Sequence, residues 1–212
     1  VRKMSANPML APVVLLAYRR PAHLAQAVDS LRRNPQAAAS ELYVYCDAAK
    51  RAEDAEAVRA VRAYADHIDG FALVRVVRRD TNFGVAANVI DAVSRATASH
   101  GRAIVIEDDL VVSPHFLRFM NEALDCYADA PRVASIHGYC YPIGHALPET
   151  FFLRGADCWG WATWSRAWAH FVADGARLRA ELLGVPSQAP AQARKPLAPG
   201  PRSEAGATPS VT

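Results

Sequence analysis

AIVIEDDLVVSPHFLRFMNEAL, residues 103–124, decides the fold. Ala103 to Ile106 is a short apolar run of the kind that forms a fully buried strand. It ends in three adjacent carboxylates, Glu107, Asp108 and Asp109. Ser113-Pro114 then opens a helix expected to run to about Tyr127, with proline at a position where a helix tolerates it. Three neighbouring carboxylates repel one another, and a bound divalent cation would relieve that repulsion. Hard oxygen ligands suit Mg²⁺ or Mn²⁺, ions often held by one or two carboxylates plus substrate phosphates. The plainer alternative is an acidic turn complementing the dipole of the following helix.

The same strand–turn–helix grammar extends in both directions. Residues 12–17 (PVVLLA) read as a strand, followed by Tyr18-Arg19-Arg20 and a helix opened by Pro21 and carrying Leu24, Val28 and Leu31 at helical spacing. Residues 41–46 (ELYVYC) form a second strand ending at Asp47, and residues 52–65 a helix with Val58, Val61 and Ala65 on one face. Residues 71–77 are a third strand, residues 79–84 a loop, and residues 85–98 a helix. After the quoted stretch come a fifth strand at 133–136, a sixth at 150–153 and a helix starting near Thr163 or Ser165. This alternation predicts an α/β fold, a three-layer sandwich around a mostly parallel sheet. Ligands of such sheets bind beyond the C-terminal strand ends, where charged and polar residues gather here.

Composition narrows the function. The 212 residues are 51% hydrophobic and 21% charged, which excludes a disordered chain. The four cysteines show no C-x-x-C spacing, so neither zinc site nor redox motif is expected, and all four are read as buried small apolar residues. Of the net charge of +3, two units belong to residues 184–212, which carry Arg194, Lys195 and Arg202 against Glu204. The nearly neutral remainder has no electrostatic footprint for nucleic acid. Residues 184–212 also hold six of the 14 prolines and no aromatic residue, so they are expected to be a disordered Pro/Ala-rich tail after a domain spanning 10–183. The tail begins abruptly after ARLRAELL, as a C-terminal truncation of the domain or a frameshift would leave it. No apolar run reaches membrane-span length, and Pro8, Pro12 and Arg19-Arg20 break up a signal-peptide pattern, so a cytoplasmic location is expected. No G-x-S-x-G, P-loop or G-x-G-x-x-G is present.

Three further stretches carry chemistry. Asn82-Phe83-Gly84 leads into a helix with Asn88 one turn in, and a helix N-terminus behind a glycine favours phosphate or polar ligand groups. Asp47, at a strand end, suits either hydrogen bonds from a nucleobase or ribose, or helix capping. All four tryptophans lie within residues 159–168, and such rings either stack on sugar faces or fill core. His137, at the end of the fifth strand, is read as structural.

Together these residues resemble a GT-A fold glycosyltransferase of the family 2 type, and are also similar to the N-acetylglucosaminyltransferase I group. PVVLLAYRRPAHLAQAVDSL resembles the family's first strand, nucleotide loop and helix. NFGVAANVIDAV resembles its N-x-G helix start. AIVIEDDLVVSPHFLRFMNEAL looks like its metal-binding strand, with the D-x-D motif in an E-D-D form, and FFLRGADCWGWATWSRAW looks like its acceptor-side segment. The likeness spans about residues 10–180. It implies a nucleotide-sugar donor, a UDP-sugar by default, an Mn²⁺ or Mg²⁺ cofactor, and a glycan, polysaccharide or lipid-linked acceptor that would place the protein at the inner membrane face. Carried over, Ala17, Tyr18 and Arg19 would line the nucleotide pocket and Asp47 would contact the base. Asn82, Gly84 and Asn88 would flank the donor. Asp109 would hold the metal, with Glu107 and Asp108 near the ribose and donor sugar. Trp159, Gly160 and Trp161 would face donor sugar and acceptor. The catalytic base of similar inverting enzymes lies downstream of the tryptophan segment; the matching region here would be the tail, which offers only Glu204, and Asp157 and Asp174 are the nearest acids and match no family position. Two rival readings accompany this one, a non-catalytic nucleotide-binding remnant and a nucleotidyltransferase of related fold.

Overall fold

Strand β1, Val13–Ala17, is buried at all five positions, which explains its unbroken apolar sequence. The computed structural model describes residues 10–144 and 146–184. The expected tail, beyond residue 184, lies outside the described residues. β1 pairs in parallel with β2, Glu41–Cys46, on one side and with β4, Arg102–Glu107, on the other. β2 pairs in parallel with β3, Leu73–Arg78. Beyond β4 lies β6, Trp161–Trp164, antiparallel to β4, and then β5, Ser135–His137, antiparallel to β6. The sheet order is β3-β2-β1-β4-β6-β5.

Helices cover both faces, and the pleat sorts the core in two. Val13, Leu15, Ile104 and Ile106 point to the face covered by α1 (Pro21–Arg32), α2 (Ala55–Ala65) and α4 (Phe116–Cys126). Val14, Leu16, Ala103 and Val105 point to the face covered by α3, Gly84–His100. Alternation within each strand therefore fills two separate cores, as a three-layer α/β sandwich requires. The helix faces read from the sequence are the buried ones: Leu24, Val28 and Leu31 in α1, and Val58, Val61 and Ala65 in α2.

Three expectations need correction. No strand forms at 150–153, where Phe151, Phe152 and Leu153 are exposed in the segment between β5 and β6. The sixth strand is instead Trp161–Trp164, whose register puts Ala162 between Ile104 and Ile136. A local apolar triplet supplies strand propensity, whereas pairing is decided by which segment reaches the open edge of β4. The cysteines also divide: Cys46 is buried, while Cys126, Cys140 and Cys158 are exposed and free. Helix α4 begins at Phe116 rather than Ser113. Short helix α5, Ser165–Trp168, follows β6.

The chain divides into two compact units, Val1–Phe171 and Val172–Thr212. Within the second, α6, Gly175–Leu183, is capped by the Asp174 carboxylate, which accepts from the Arg177 N–H at 2.9 Å, and it buries none of its residues. Among the described residues no helix is long and apolar enough to cross a membrane.

Candidate active site

The chain leaves β1 toward β2 and β3 on one side and returns to place β4 on the other. The C-terminal ends of β1 and β4 thus flank a topological switch point, the position where open α/β sheets hold ligands. A cavity of about 260 Å³ opens there. Its walls include Ala17 and Tyr18 from the end of β1, Asp47 after β2, Asn82, Gly84 and Asn88 at the start of α3, and Glu107 and Asp108 at the end of β4. Eight of the residues singled out in the sequence therefore converge. Arg19, Asp109, Trp159, Gly160 and Trp161 do not line it.

The Asp47 carboxylate organises one wall. Oδ1 accepts from the N–H groups of Ala48 and Phe83, both at 2.9 Å. Oδ2 accepts from the Gly84 N–H at 2.9 Å and from Asn82 Nδ2 at 3.2 Å. Its four lone-pair positions are thus taken, and the carboxylate caps α3 from another strand's end. The capping reading is what the geometry shows; a base contact would use an oxygen already holding two donors. Gly84 has φ +71, a left-handed conformation that accounts for the glycine.

Arg79 anchors the same helix from below. Its buried guanidinium donates to Asn88 Oδ1 at 3.0 Å and to Asp91 Oδ2 at 2.6 Å. It also lies 5.1 Å from the Tyr45 ring centre and 4.4 Å from that of Phe83. Opposite, Tyr18 is pinned by its hydroxyl, which donates to Asp54 Oδ2 at 2.9 Å and accepts from the Lys50 N–H at 3.0 Å. Arg19 pairs with Asp54 and so turns away from the cavity.

Arg20 meets the acidic end of β4. Its guanidinium bonds the Asp108 carboxylate and, at 2.9 Å, Asp109 Oδ2, while the Tyr18 N–H donates to Asp108 Oδ2 at 3.3 Å. Burial pushes the Glu107 carboxyl above the usual range, and the charges of Asp109 and Asp108 add to it. Burial likewise raises Asp108, against the guanidinium of Arg20. The donor set is hard oxygen, and Arg20 offsets its repulsion only in part, since Glu107 and Asp108 both stay pushed up, which fits a divalent cation. Among the described residues no group of three or more His, Cys, Asp or Glu forms a cage. An ion held by one or two carboxylates and substrate phosphates needs none.

Sequence reasoning named Arg20 only among the residues gathered at strand ends, gave it no role, and missed Lys50 as a cavity residue and Asp54 as the hub behind Tyr18. The signal for Arg20 was available: three clustered carboxylates call for a nearby cation, and Arg19-Arg20 ends the neighbouring strand. Nothing local distinguishes Asp54. The tryptophans divide among roles. Trp164 is buried and donates through Nε1 to the Leu124 carbonyl at 3.1 Å. Trp168 donates to Ser94 Oγ at 2.9 Å and lies 6.0 Å from Trp161. Gly160, φ +74, leaves room for Phe116, whose ring would lie 3.1 Å from an added Cβ. Trp159 is exposed. His137, with Nε2 bonded to Ser135 Oγ at 2.7 Å, is held within β5.

Compared with known families, residues 13–165 match Glycosyl transferase family 2. The chain belongs to that family. Its six-stranded, mostly parallel sheet is the Rossmann-like GT-A architecture of a glycosyltransferase, with the cavity at the switch point. Among solved structures, this family 2 chain is similar to a mannosyltransferase from Pyrobaculum calidifontis in complex with GDP-Man and Mn²⁺ (16% identity, TM-score 0.43, covering 59% of this chain and 34% of that one). It is also similar to a 4-diphosphocytidyl-2C-methyl-D-erythritol synthase (12% identity, TM-score 0.35, covering 85% and 87%). The chain thus spans about a third of the length of the mannosyltransferase. No curated protein matches.

Proposed function

We propose that this chain is the donor-binding part of a metal-dependent glycosyltransferase, moving a sugar from a nucleotide-diphosphate-sugar to a hydroxyl of a glycan or lipid-linked acceptor at the cytoplasmic side. The observation that carries this is the convergence, in one cavity at the switch point, of the β1 end, the α3 N-terminus and the acidic β4 end, in a chain of glycosyl transferase family 2.

Roles follow from placement. Ala17 and Tyr18 form the floor and wall for the nucleoside, and the bonds from Tyr18 to Asp54 and Lys50 keep that wall rigid. Asn82, Gly84 and Asn88 present polar groups at the start of a helix, where the dipole favours anionic ligand atoms. Asp47 holds that helix start in place. Lys50 and Arg20 are the cations of the cavity and would meet the diphosphate. Asp109, outermost of the three acids, would hold Mn²⁺ or Mg²⁺, with Asp108 and Glu107 behind it toward the ribose and donor sugar. To do so it would release Arg20, which becomes free to turn to phosphate oxygens. A bound ion would supply charge neutralisation of the departing diphosphate. Trp159 is the exposed indole toward the acceptor side. Uridine is the default base, tested below against guanosine and cytidine.

The test is a thermal-shift titration with UDP, GDP and CMP, each with and without Mn²⁺, beside Asp109→Ala. One nucleotide should raise the melting temperature only with Mn²⁺, by an amount equivalent to about 2.7 kcal/mol at a hundredfold excess over Kd, and Asp109→Ala should abolish the shift. A melt that moves for none of the three would overturn the proposal.

A further inference from the structure

The segment between β5 and β6 carries a cluster of aromatic rings that neither core uses. Tyr139, Tyr141 and Trp159 are 41%, 57% and 43% exposed. They touch one another: the Tyr139 and Trp159 centroids are 4.8 Å apart and near-perpendicular, Tyr139 and Tyr141 5.1 Å, Tyr141 and Trp159 5.6 Å. Rings exposed to this degree usually need a reason, because their burial is among the larger gains available to a folded chain. Here they are fixed by the sheet rather than left loose. His137 pairs with Trp161, and the Gly138 N–H donates to the Gly160 carbonyl at 2.8 Å, so the antiparallel ladder continues past the strand ends and sets Tyr139 opposite Trp159. Gly138 has no room for a side chain, since an added Cβ would lie 2.7 Å from the Phe116 ring.

The cluster also has polar handles. Asp157 Oδ1 accepts from the Trp159 N–H at 2.9 Å. Burial and the neighbouring Asp157 carboxylate, which also hydrogen-bonds it, push the Tyr141 phenol up. Flat ring faces beside a carboxylate and two phenols are the chemistry that holds a pyranose: C–H faces against rings, hydroxyls against oxygens.

Its position is as informative as its composition. On the other side of β6, Val105 pairs with Trp161. The C-terminal end of β4, where Glu107 lies, and the N-terminal end of β6, just after Trp159, are therefore at the same end of the sheet. The proximity shows in Cys158, whose thiol is pushed up by burial and by the charges of Glu107 and Asp157. The aromatic cluster and Glu107 thus lie at the same end of the sheet.

We propose that Tyr139, Tyr141 and Trp159, with Asp157, form a platform for one pyranose ring of the acceptor glycan, beside the donor cavity. This rests on the transferase reading given above and adds to it the two tyrosines and the chemical class of group they hold.

The platform is tested on the full chain by saturation-transfer difference NMR, without nucleotide. The probes are the methyl glycosides of α-mannose, β-glucose, β-galactose and β-N-acetylglucosamine. At least one should show transfer to its ring protons. Tyr141→Ala and Trp159→Ala, made singly, should each weaken that binding about tenfold, with melting temperatures unchanged. Phe152→Ala, an exposed ring of the same segment outside the cluster, should leave it unaltered. The absence of ring-proton signal from all four glycosides, or signal surviving both substitutions, overturns the platform. Failure of the two readings is separable by the nucleotide titration. A nucleotide shift without glycoside signal removes the platform and leaves the donor site. Glycoside signal lost in both variants, without any nucleotide shift, keeps the platform as a sugar-binding surface and removes the transferase.

Discussion

Asp54 and Asp108 are both nearly inaccessible carboxylates, 4% and 2% exposed, and each meets an arginine, yet they are pushed in opposite directions. The Arg19 hydrogen bond leads in holding Asp54 down to about 2, with Tyr18 and Arg51 assisting against burial. At Asp108, burial outweighs Arg20, and Asp109 adds repulsion. The first is a structural hub, the second a carboxylate kept under electrostatic stress at the cavity. The linkage sign for Asp54 follows from its depressed value. Its contribution is complete above the unfolded carboxylate pKa of about 3.9 and is lost as pH falls from there to about 2. Asp54→Asn should therefore lower the melting temperature at pH 7 but lose its effect between about pH 4 and pH 2. Thermal melts of both proteins across that range check it. Because Glu107 and Asp108 titrate alike in the two, their opposite contribution cancels. A gap that stays constant with pH would show that Asp54 is not the ionised hub of this loop.

At the level of elements, the start of α3 is fastened from the ends of two strands. Asp47 caps it from the end of β2, and Arg79 from the end of β3 holds Asn88 and Asp91. Three backbone N–H groups and an amide meet in one buried carboxylate, so Asp47→Ala would leave four donors, buried or partly buried, without their partner. It should cost about 2–3 kcal/mol in urea denaturation. Asp47→Asn, which keeps an acceptor but points an NH₂ at N–H donors, should fall between. Amide exchange at Phe83 and Gly84 should accelerate in both. If Asp47→Ala unfolds at the wild-type midpoint, the cap is not what holds the cavity wall.

For the molecule as a whole, β1 is the hinge of the architecture. It sits between β2 and β4, and its alternating side chains enter both cores. Leu15→Ala should destabilise the chain by about 3–5 kcal/mol, a large share of the roughly 5–15 kcal/mol that holds a domain together. Guanidinium denaturation measures this. A loss under about 1 kcal/mol would mean the core on the α1 side closes without Leu15. The exposed segment between β5 and β6 is the reverse case, rich in apolar residues yet contributing little burial.

The sequence by itself determined the βα alternation, the buried faces of α1 and α2, the sheet's class and the convergence of the Ala17, Asp47, Asn82 and Glu107 regions at strand ends. All of these rest on local period and on residues adjacent to their own strands, so one segment at a time suffices to read them. Only the tertiary structure decided that the sixth strand is Trp161–Trp164 rather than 150–153. It alone gave Asp47's lone pairs to α3, turned Arg19 to Asp54 and Arg20 to the acids, and gathered Tyr139, Tyr141 and Trp159. Each of these is a pairing between segments far apart in the chain. Which partner a strand edge, a carboxylate or a ring finally meets is settled by packing and charge in three dimensions, not by its neighbours in sequence.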